Sequence, residues 1–296
     1  MEVHVRARFT GHKGPVYALV EGPRPATFLS GSGDGHVVLW ELHDPDHGEL
    51  LVKVGQPVFS LHHDTTHQRL FIGTDSGSLH VVDLRDRKEI QLLQHQHKGL
   101  YAIQPLPHDR LACAGGDGTL AVYQQGERLT LLRIIPMIEG KLRGFALNGD
   151  GTWLAVACGD GTVRVLDTEH FNELHTHRAH EGGALAVAFH PSKPALVSGG
   201  KDGHLRLWHL DEDQHELLAL AAHKSSIYRV AFNAEGTVCA TASRDKSAKY
   251  WAADSFAPLK RLDRAAGGHS HSVNALLWVG DVLITGSDDR SVLAWA

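Results

Sequence analysis

The chain has 296 residues, of which 42% are hydrophobic and 21% charged, and this composition excludes a disordered or membrane-embedded chain. Its formal net charge of −5 argues against a general nucleic-acid binder, because such proteins favour a basic surface. Its 31 glycines indicate many tight turns, as all-β folds require.

The first residues predict a β-strand. From Val3 to Phe9, apolar side chains alternate with the polar side chains of His4, Arg6 and Arg8, which is a strand pattern and not that of a signal peptide. No segment of the chain reaches the roughly 18 uninterrupted apolar residues of a membrane-spanning helix. We therefore expect no membrane association and a cytoplasmic location.

The three cysteines, Cys113, Cys158 and Cys239, each lie in a short apolar run. An odd number of cysteines in apolar surroundings favours buried free thiols over a disulfide framework. Free thiols suit a reducing compartment, which agrees with the cytoplasmic expectation.

A short pattern recurs along the chain: small residues, an Asp, a small or polar residue, a strand of alternating apolar residues, and an aromatic. The seven copies are SGSGDGHVVLW, IGTDSGSLHVV, CAGGDGTLAVY, VACGDGTVRVL, SGGKDGHLRLW, TASRDKSAKYW and TGSDDRSVLAW. They place seven residues in register: Asp34, Ser76, Asp117, Asp160, Asp202, Asp245 and Asp289. The intervals of 42, 41, 43, 42, 43 and 44 residues are typical of four-stranded propeller blades.

A Gly-His or similar pair precedes five of these turns, for example Gly11-His12 and Ala179-His180. With this pair, the turn Asp and the closing Trp, the chain resembles the WD40-repeat family over essentially its whole length. The resemblance implies an all-β fold, a single seven-bladed β-propeller that occupies residues 1–296 with no linker and no second domain. It also implies a loop joining the blades at each Gly-His, and the turn Asp between the two middle strands.

The resemblance further implies a hydrogen-bonded set of His, Ser or Thr, Asp and Trp in each regular blade. Such a set is structural, because buried polar groups must be paired and because the set recurs at fixed spacing, unlike a catalytic triad. Four blades carry all members: His12, Ser30, Asp34, Trp40; His180, Ser198, Asp202, Trp208; His223, Thr241, Asp245, Trp251; and His269, Thr285, Asp289, Trp295. Blade 3 is expected to keep His97 and Asp117, while blades 2 and 4 lack most of the set.

The two ends of the chain are expected to meet. The sequence stops at Trp295-Ala296, after the third strand of blade 7, and the N-terminal strand of residues 3–9 stands where an outer strand would. We predict that this strand completes blade 7 and closes the ring, which removes exposed strand edges.

The resemblance also indicates where a partner would bind, on the face around the central channel. The positions that the family uses most often carry over to one residue on each innermost strand and one residue before each turn Asp. Eight of these are the candidate partner-binding residues: Tyr17, Phe59, Tyr101, Arg143, Lys201, Tyr228, Arg244 and Asn274. Aromatic and Arg side chains dominate interface hot spots, and the basic Arg143, Lys201 and Arg244 favour an acidic or phosphorylated segment of a partner protein or peptide.

The leading interpretation is a non-catalytic protein–protein interaction scaffold that is monomeric on its own and needs no cofactor. The alternative is a propeller enzyme, such as a lactonase-like hydrolase with a metal in the channel, but the channel-facing strands carry almost no carboxylates. The 23 histidines include local clusters such as His62, His63 and His67, yet no Cys or carboxylate completes a ligand set, so we expect no metal site. Nucleic-acid binding is not expected.

Overall fold

The computed structural model describes residues 3–210 and 215–296, and its regular structure is almost entirely β-strand. The strands form seven four-stranded antiparallel sheets, each of them one blade. Every innermost strand contacts the innermost strands of both neighbouring blades, so the seven blades close into a ring around a central channel. The predicted seven-bladed β-propeller is confirmed.

Three blades follow the N-terminal strand β1 (Val5–Phe9). From the channel outward, their strands are β2 (Val16–Glu21), β3 (Thr27–Ser32), β4 (His36–Glu41) and β5 (Asp44–Lys53) in blade 1; β6 (Val58–Asp64), β7 (Arg69–Thr74), β8 (Leu79–Asp83) and β9 (Lys88–Leu93) in blade 2; and β10 (Leu100–Leu106), β11 (Arg110–Gly115), β12 (Thr119–Gln124) and β13 (Thr130–Pro136) in blade 3.

Four further blades complete the ring. Their strands are β14 (Leu142–Leu147), β15 (Trp153–Cys158), β16 (Thr162–Asp167) and β17 (Glu173–Arg178) in blade 4; β18 (Ala184–Phe189), β19 (Ala195–Gly200), β20 (His204–His209) and β21 (Glu216–Ala221) in blade 5; β22 (Ile227–Phe232), β23 (Val238–Ser243), β24 (Ala248–Ala252) and β25 (Pro258–Leu262) in blade 6; and β26 (Val273–Val279), β27 (Val282–Ser287), β28 (Val292–Trp295) and β1 in blade 7.

The core lies between adjacent blades and is densest along the second strand of each. Every residue of β3, β7 and β27 is buried. These strands have partners along both edges and blades against both faces, so their sequences are runs of small and apolar residues. Within the described residues, no helix is long and apolar enough to cross a membrane.

The three cysteines lie within this core. Each is buried and carries a free thiol, as predicted. Burial in apolar surroundings raises the pKa of each thiol, that of Cys158 to about 12, so these groups pack as small apolar side chains.

Blade 7 is completed by β1, as predicted. The strand pairs with β28 in antiparallel register, Val5 opposite Trp295 and Phe9 opposite Val292. The backbones of His4 and Ala296 extend this pairing with two further hydrogen bonds, of 3.0 and 3.2 Å. Phe9 is fully buried, and its ring centroid lies 5.0 Å from that of Phe28 in blade 1. One strand thus joins the last blade to the first.

Removal of β1 tests this closure. Deleting residues 1–9 exposes the edge of β28 and leaves a cavity where Phe9 packs, so we expect the melting temperature to fall by at least about 10 °C and the protein to aggregate. Thermal unfolding followed by circular dichroism measures the change. The control is Arg6→Ala, which alters an exposed side chain of the same strand and should leave the melt within about 2 °C. An unchanged melt of the deletion variant would contradict the proposed closure.

Candidate functional site

A buried polar cluster fixes the loops that surround the channel; we call each complete cluster a clasp. In blade 6, His223 contacts the Asp245 carboxylate through Nδ1 at 3.0 Å and the Thr241 hydroxyl through Nε2 at 2.7 Å. The Trp251 indole donates to the same hydroxyl at 3.0 Å. Blades 1, 5 and 7 form the same three bonds, with lengths of 2.7 to 3.1 Å. All four predicted sets are therefore confirmed.

The hydrogen bonds of the blade 6 clasp fit a neutral imidazole. If Trp251 donates to Thr241, and the Thr241 hydroxyl donates to Nε2 of His223, then Nδ1–H remains to donate to Asp245. Burial lowers the pKa of His223, and this effect outweighs the attraction of Asp245. Burial alone would raise the pKa of Asp245, but hydrogen bonds from His223 and Ser247 hold it far below its usual range. The blade 6 clasp therefore contains a neutral His223 beside an ionised Asp245.

The expectation for blade 3 is wrong in one residue. The buried side chain at the His position is Gln96, whose Nε2 donates to the carbonyls of Cys113 and Thr119 at 3.0 and 2.8 Å. His97 is exposed and contributes only its backbone N–H, which donates to Asp117 at 2.8 Å. The pair Gln96-His97 is thus shifted by one residue relative to the Gly-His pairs of the other blades.

Blades 2 and 4 hold their turns without a clasp. In blade 2, the amide oxygen of Gln56 accepts from the hydroxyl of Ser76 at 2.7 Å and from that of Thr74 at 3.0 Å. These uncharged groups take the place of a clasp. In blade 4, the Asp160 carboxylate accepts from the backbone and the hydroxyl of Thr162, at 2.9 and 2.7 Å, within its own turn. These turns remain closed, but fewer buried groups tie them to the preceding loop.

The loops before the innermost strands and the turns after the second strands open on one side of the ring, which we call the top face. One backbone bond is repeated there in all seven blades: the residue before each turn Asp or Ser donates its N–H to a carbonyl of the loop, at 2.7 to 3.0 Å. The seven pairs are Gly33–Pro15, Asp75–Pro57, Gly116–Gly99, Gly159–Lys141, Lys201–Gly183, Arg244–Ser226 and Asp288–Ser272. The sequence alignment of the candidate positions therefore corresponds to equivalent places in the fold.

A cavity of about 330 Å³ lies at the mouth of the channel on this face. Its lining contains six of the eight candidate residues: Tyr17, Phe59, Tyr101, Arg143, Tyr228 and Asn274. Leu185, Arg229 and Asp288 complete the lining. The other two candidates, Lys201 and Arg244, are exposed on the top face outside this lining.

Three aromatic rings form a continuous row along one wall of the cavity. Tyr17 meets Phe59 edge to face at a centroid distance of 5.3 Å, and Phe59 stacks on Tyr101 at the same distance. The guanidinium of Arg143 continues the row, 4.3 Å from the centroid of the Tyr101 ring. We call these four residues the aromatic row. Cation–π and ring–ring contacts hold its members in fixed orientations.

The part of the lining beside Tyr17 carries the negative charge. Asp288 accepts a hydrogen bond of 2.7 Å from the Asn274 amide. Burial raises the pKa of Tyr17, and the charge of Asp288 adds to this effect, so Tyr17 stays a neutral phenol. The cavity therefore has a cationic side at Arg143 and an anionic side at Asp288.

Sequence reasoning missed two cations near this cavity. Arg229 follows Tyr228 directly and lines the same cavity, while Lys141 places its ammonium group 5.5 Å from the centroid of the Tyr101 ring. An alignment of the seven innermost strands could have revealed Arg229, because the other six blades have a small residue at its position. The residues at that position are Ala18, Ser60, Ala102, Gly144, Ala186, Arg229 and Ala275.

The histidine clusters do not assemble into a metal site in the described structure. Within residues 3–210 and 215–296, no group of three His, Cys, Asp or Glu side chains has an arrangement that could hold a metal ion. Asp288 is the one carboxylate among the described residues that line the cavity.

Comparison with known families supports the repeat assignment. The model for the WD domain, G-beta repeat (WD40), matches residues 4–41, 134–167, 171–209, 214–252 and 258–296, which is more than half of the chain. The chain belongs to the WD40-repeat family. The WD40 model does not match residues 42–133, yet the structure contains all of blade 2 and most of blade 3 there.

Several curated WD40 proteins are similar to this chain. WD repeat and HMG-box DNA-binding protein 1 of Xenopus laevis is 30% identical over 50% of this chain and 14% of its own length. Cilia- and flagella-associated protein 52 of Bos taurus is 25% identical over 75% of this chain and 36% of its own. WD repeat-containing protein 82 of Drosophila melanogaster is 23% identical over 79% of this chain and 62% of its own. The chain thus spans less than two thirds of each relative.

The clasps predict that acid destabilises the propeller. Burial lowers the pKa of His12, His180 and His223 below the unfolded value, so between these values the unfolded chain binds more protons, and stability falls as the pH drops below about 6.5. The lowered pKa of Asp245 and of Asp289 acts in the same direction below about pH 4. Urea unfolding at pH 7.5 and at pH 5.0 measures the loss.

The variant His223→Gln isolates the His contribution, because blade 3 already carries Gln at this position. We expect it to be less stable than the natural chain by about 1–3 kcal/mol at pH 7.5 and to lose less stability on going to pH 5.0. The control is His271→Gln, an exposed position that should change neither value. An acid-induced loss as large in His223→Gln as in the natural chain would count against the neutral-His clasp.

Proposed function

We propose that this chain is a non-catalytic interaction scaffold that binds a partner protein or peptide on its top face. The observation that carries the proposal is the aromatic row, Tyr17, Phe59, Tyr101 and Arg143, which lines an open cavity at the channel mouth. Aromatic and Arg side chains contribute most of the binding free energy at protein interfaces when they lie in a pocket. Membership of the WD40-repeat family and similarity to the WD-repeat proteins above support the same interpretation.

The geometry of the row favours binding of a ligand without rearrangement. Each ring is held by its neighbour, at 5.3 Å between centroids in both ring pairs. Side chains that are already ordered lose little conformational entropy when a partner binds. The backbone bonds at the turns, together with the clasp of blade 1, hold the strands that carry these residues.

We propose that the bound segment is acidic or phosphorylated. Arg143 lies inside the cavity, while Lys201 and Arg244 extend positive charge across the top face of blades 5 and 6. Guanidinium groups form strong charge-assisted hydrogen bonds with carboxylates and phosphates. Tyr228 and Asn274 complete the proposed contact surface.

A channel enzyme is the weaker candidate. A metal-dependent hydrolase needs several oxygen or nitrogen ligands around one ion, whereas Asp288 alone supplies a carboxylate to the described lining, and it is bonded to Asn274. The net charge of −5 likewise gives no support to nucleic-acid binding. We propose further that residues 1–296 act as one propeller domain that needs no cofactor, is monomeric on its own and works in the cytoplasm.

Affinity purification tests the proposal. We expect the variant Tyr17→Ala/Tyr101→Ala/Tyr228→Ala to recover its specific partners, identified by mass spectrometry, in at least tenfold lower amounts than the natural chain. The control variant Leu92→Ala/Leu259→Ala truncates two exposed side chains on the outer strands and should recover the partners fully. Melting temperatures confirm that each variant is folded.

Equal recovery of all specific partners by the triple tyrosine variant would refute binding at the top face. A second variant, Arg143→Ala/Lys201→Ala/Arg244→Ala, tests the charge of the ligand separately. Full retention of the partners by this variant would refute an acidic or phosphorylated segment while leaving the aromatic row as the site.

A further inference from the structure

Arg229 is an unusual residue for its position on the innermost strand that lines the channel. In the other six blades, the equivalent residue of the innermost strand is Ala, Ser or Gly, and only in blade 6 is it a long cationic side chain. Arg229 lines the mouth cavity and also a second cavity of about 190 Å³ deeper in the channel. Its guanidinium therefore lies where the mouth narrows into the channel.

This cation has little to neutralise it. The one side-chain hydrogen bond that Arg229 forms within the described residues goes to a neutral group, the Tyr228 carbonyl, at 3.2 Å. Among residues 3–210 and 215–296, Arg229 takes part in no ion pair. Asp288 lines the same cavity, but its hydrogen bond comes from the Asn274 amide. A partly buried guanidinium without a carboxylate partner is costly, since the charge has lost hydration without gaining an ion pair.

A second cation, Arg143, adds to the unpaired positive charge in the mouth cavity. Arg143 also lines the mouth cavity, and within the part of the chain that the structure describes it forms no ion pair but stacks on Tyr101. Burial lowers the pKa of Arg229 to about 10, and the positive charge of Arg143 contributes to this shift. Two guanidinium groups thus approach one cavity and repel each other, and an anion between them would relieve the repulsion.

We infer that Arg143 and Arg229 together form a binding site for one anionic side chain of a partner peptide, a carboxylate or a phosphate monoester, inserted into the channel mouth. This inference rests on the proposed function and adds to it the deepest contact. Two planar guanidinium groups can each donate paired hydrogen bonds to the oxygens of such a group. Tyr101 holds Arg143 on one side of the site, at 4.3 Å from its ring centroid.

The size of the cavity agrees with a single inserted side chain. A volume of about 330 Å³ corresponds to about ten water molecules, enough for one acidic side chain and a few bridging waters. The rest of the peptide would then lie across the top face, where Lys201 and Arg244 are exposed.

Small anionic probes test the site directly on the full chain. The probes are the N-acetyl methylamides of phosphoserine, aspartate and serine, and the readout is the NMR signal of the Arg side-chain Nε–H groups during titration. We expect the phosphoserine or the aspartate probe, or both, to shift the signals of Arg143 and Arg229 saturably. The neutral serine probe should shift neither. If only one of the two charged probes binds, that result identifies the preferred anion as a phosphate or a carboxylate.

The variant Arg229→Ala gives blade 6 the small residue of the other blades and should therefore fold. We expect it to bind the charged probe at least tenfold more weakly, and Arg143→Gln should do the same. The control Arg6→Ala removes an exposed cation of β1, which does not line the cavity, and should change binding less than twofold. If Arg229→Ala is unfolded, the variant Arg229→Gln, which removes the charge but keeps a polar side chain, replaces it.

Binding of the charged probes with equal affinity by the natural chain and by Arg229→Ala would overturn the inference, as would the absence of any binding. Neither result touches the proposed function, because recovery of partners by the tyrosine variant measures that separately. Conversely, if the tyrosine variant retains its partners while Arg229→Ala loses the probe, the anion site stands and the proposed function fails.

Discussion

Four of the seven blades depend on an imidazole that is buried between a carboxylate and a hydroxyl group. In each clasp, His joins the loop that enters a blade to the Asp turn of that blade, and the Trp indole completes the donor–acceptor series. Both ring nitrogens of the buried His thereby have partners, and a buried polar group without a partner would be costly. The loop geometry is fixed, and with it the position of the innermost strand.

The clasps are not spread evenly around the ring. They occupy blades 5, 6, 7 and 1, which are consecutive because β1 closes blade 7 against blade 1. The strongest polar restraint therefore surrounds the place where the two chain ends meet. Blades 2, 3 and 4 use Gln56, Gln96 and a self-contained Asp160 turn instead.

The aromatic row lies mostly across the blades without clasps. Phe59, Tyr101 and Arg143 belong to blades 2, 3 and 4, and only Tyr17 of the aromatic row stands on a blade with a clasp. In this sector, ring stacking takes over part of the restraint, since each ring packs on the next one across a blade boundary. The family model also fails to match residues 42–133, although their alternating apolar strands still form all of blade 2 and most of blade 3.

Much of this arrangement was predictable from the sequence, because seven copies of one pattern together resolve assignments that a single copy leaves ambiguous. The number of blades and the equivalence of Tyr17 with Phe59 follow from intervals close to 42 residues, and the resemblance to the WD40-repeat family implied the clasps. Gln96 was missed because the pattern favours His, and only burial distinguishes Gln96 from its exposed neighbour His97.

Arg229 was missed for a different physical reason. Strict alternation places neighbouring residues such as Tyr228 and Arg229 on opposite faces of a strand. Each innermost strand, however, carries a register shift at this point, between Ile227 and Arg229 in blade 6 and between Val16 and Ala18 in blade 1. Such a bulge redirects side chains, so both Tyr228 and Arg229 reach the cavity.

The most direct test of the account compares the seven equivalent backbone bonds at the turns by hydrogen exchange. Their lengths are uniform, from 2.7 to 3.0 Å, so differences in exchange protection report the restraint around each turn and not the bond itself. If clasps fix the loops, the amides of Gly33, Lys201, Arg244 and Asp288 should be protected at least tenfold more than those of Asp75, Gly116 and Gly159. Equal protection in all seven blades would contradict the central role of the clasps.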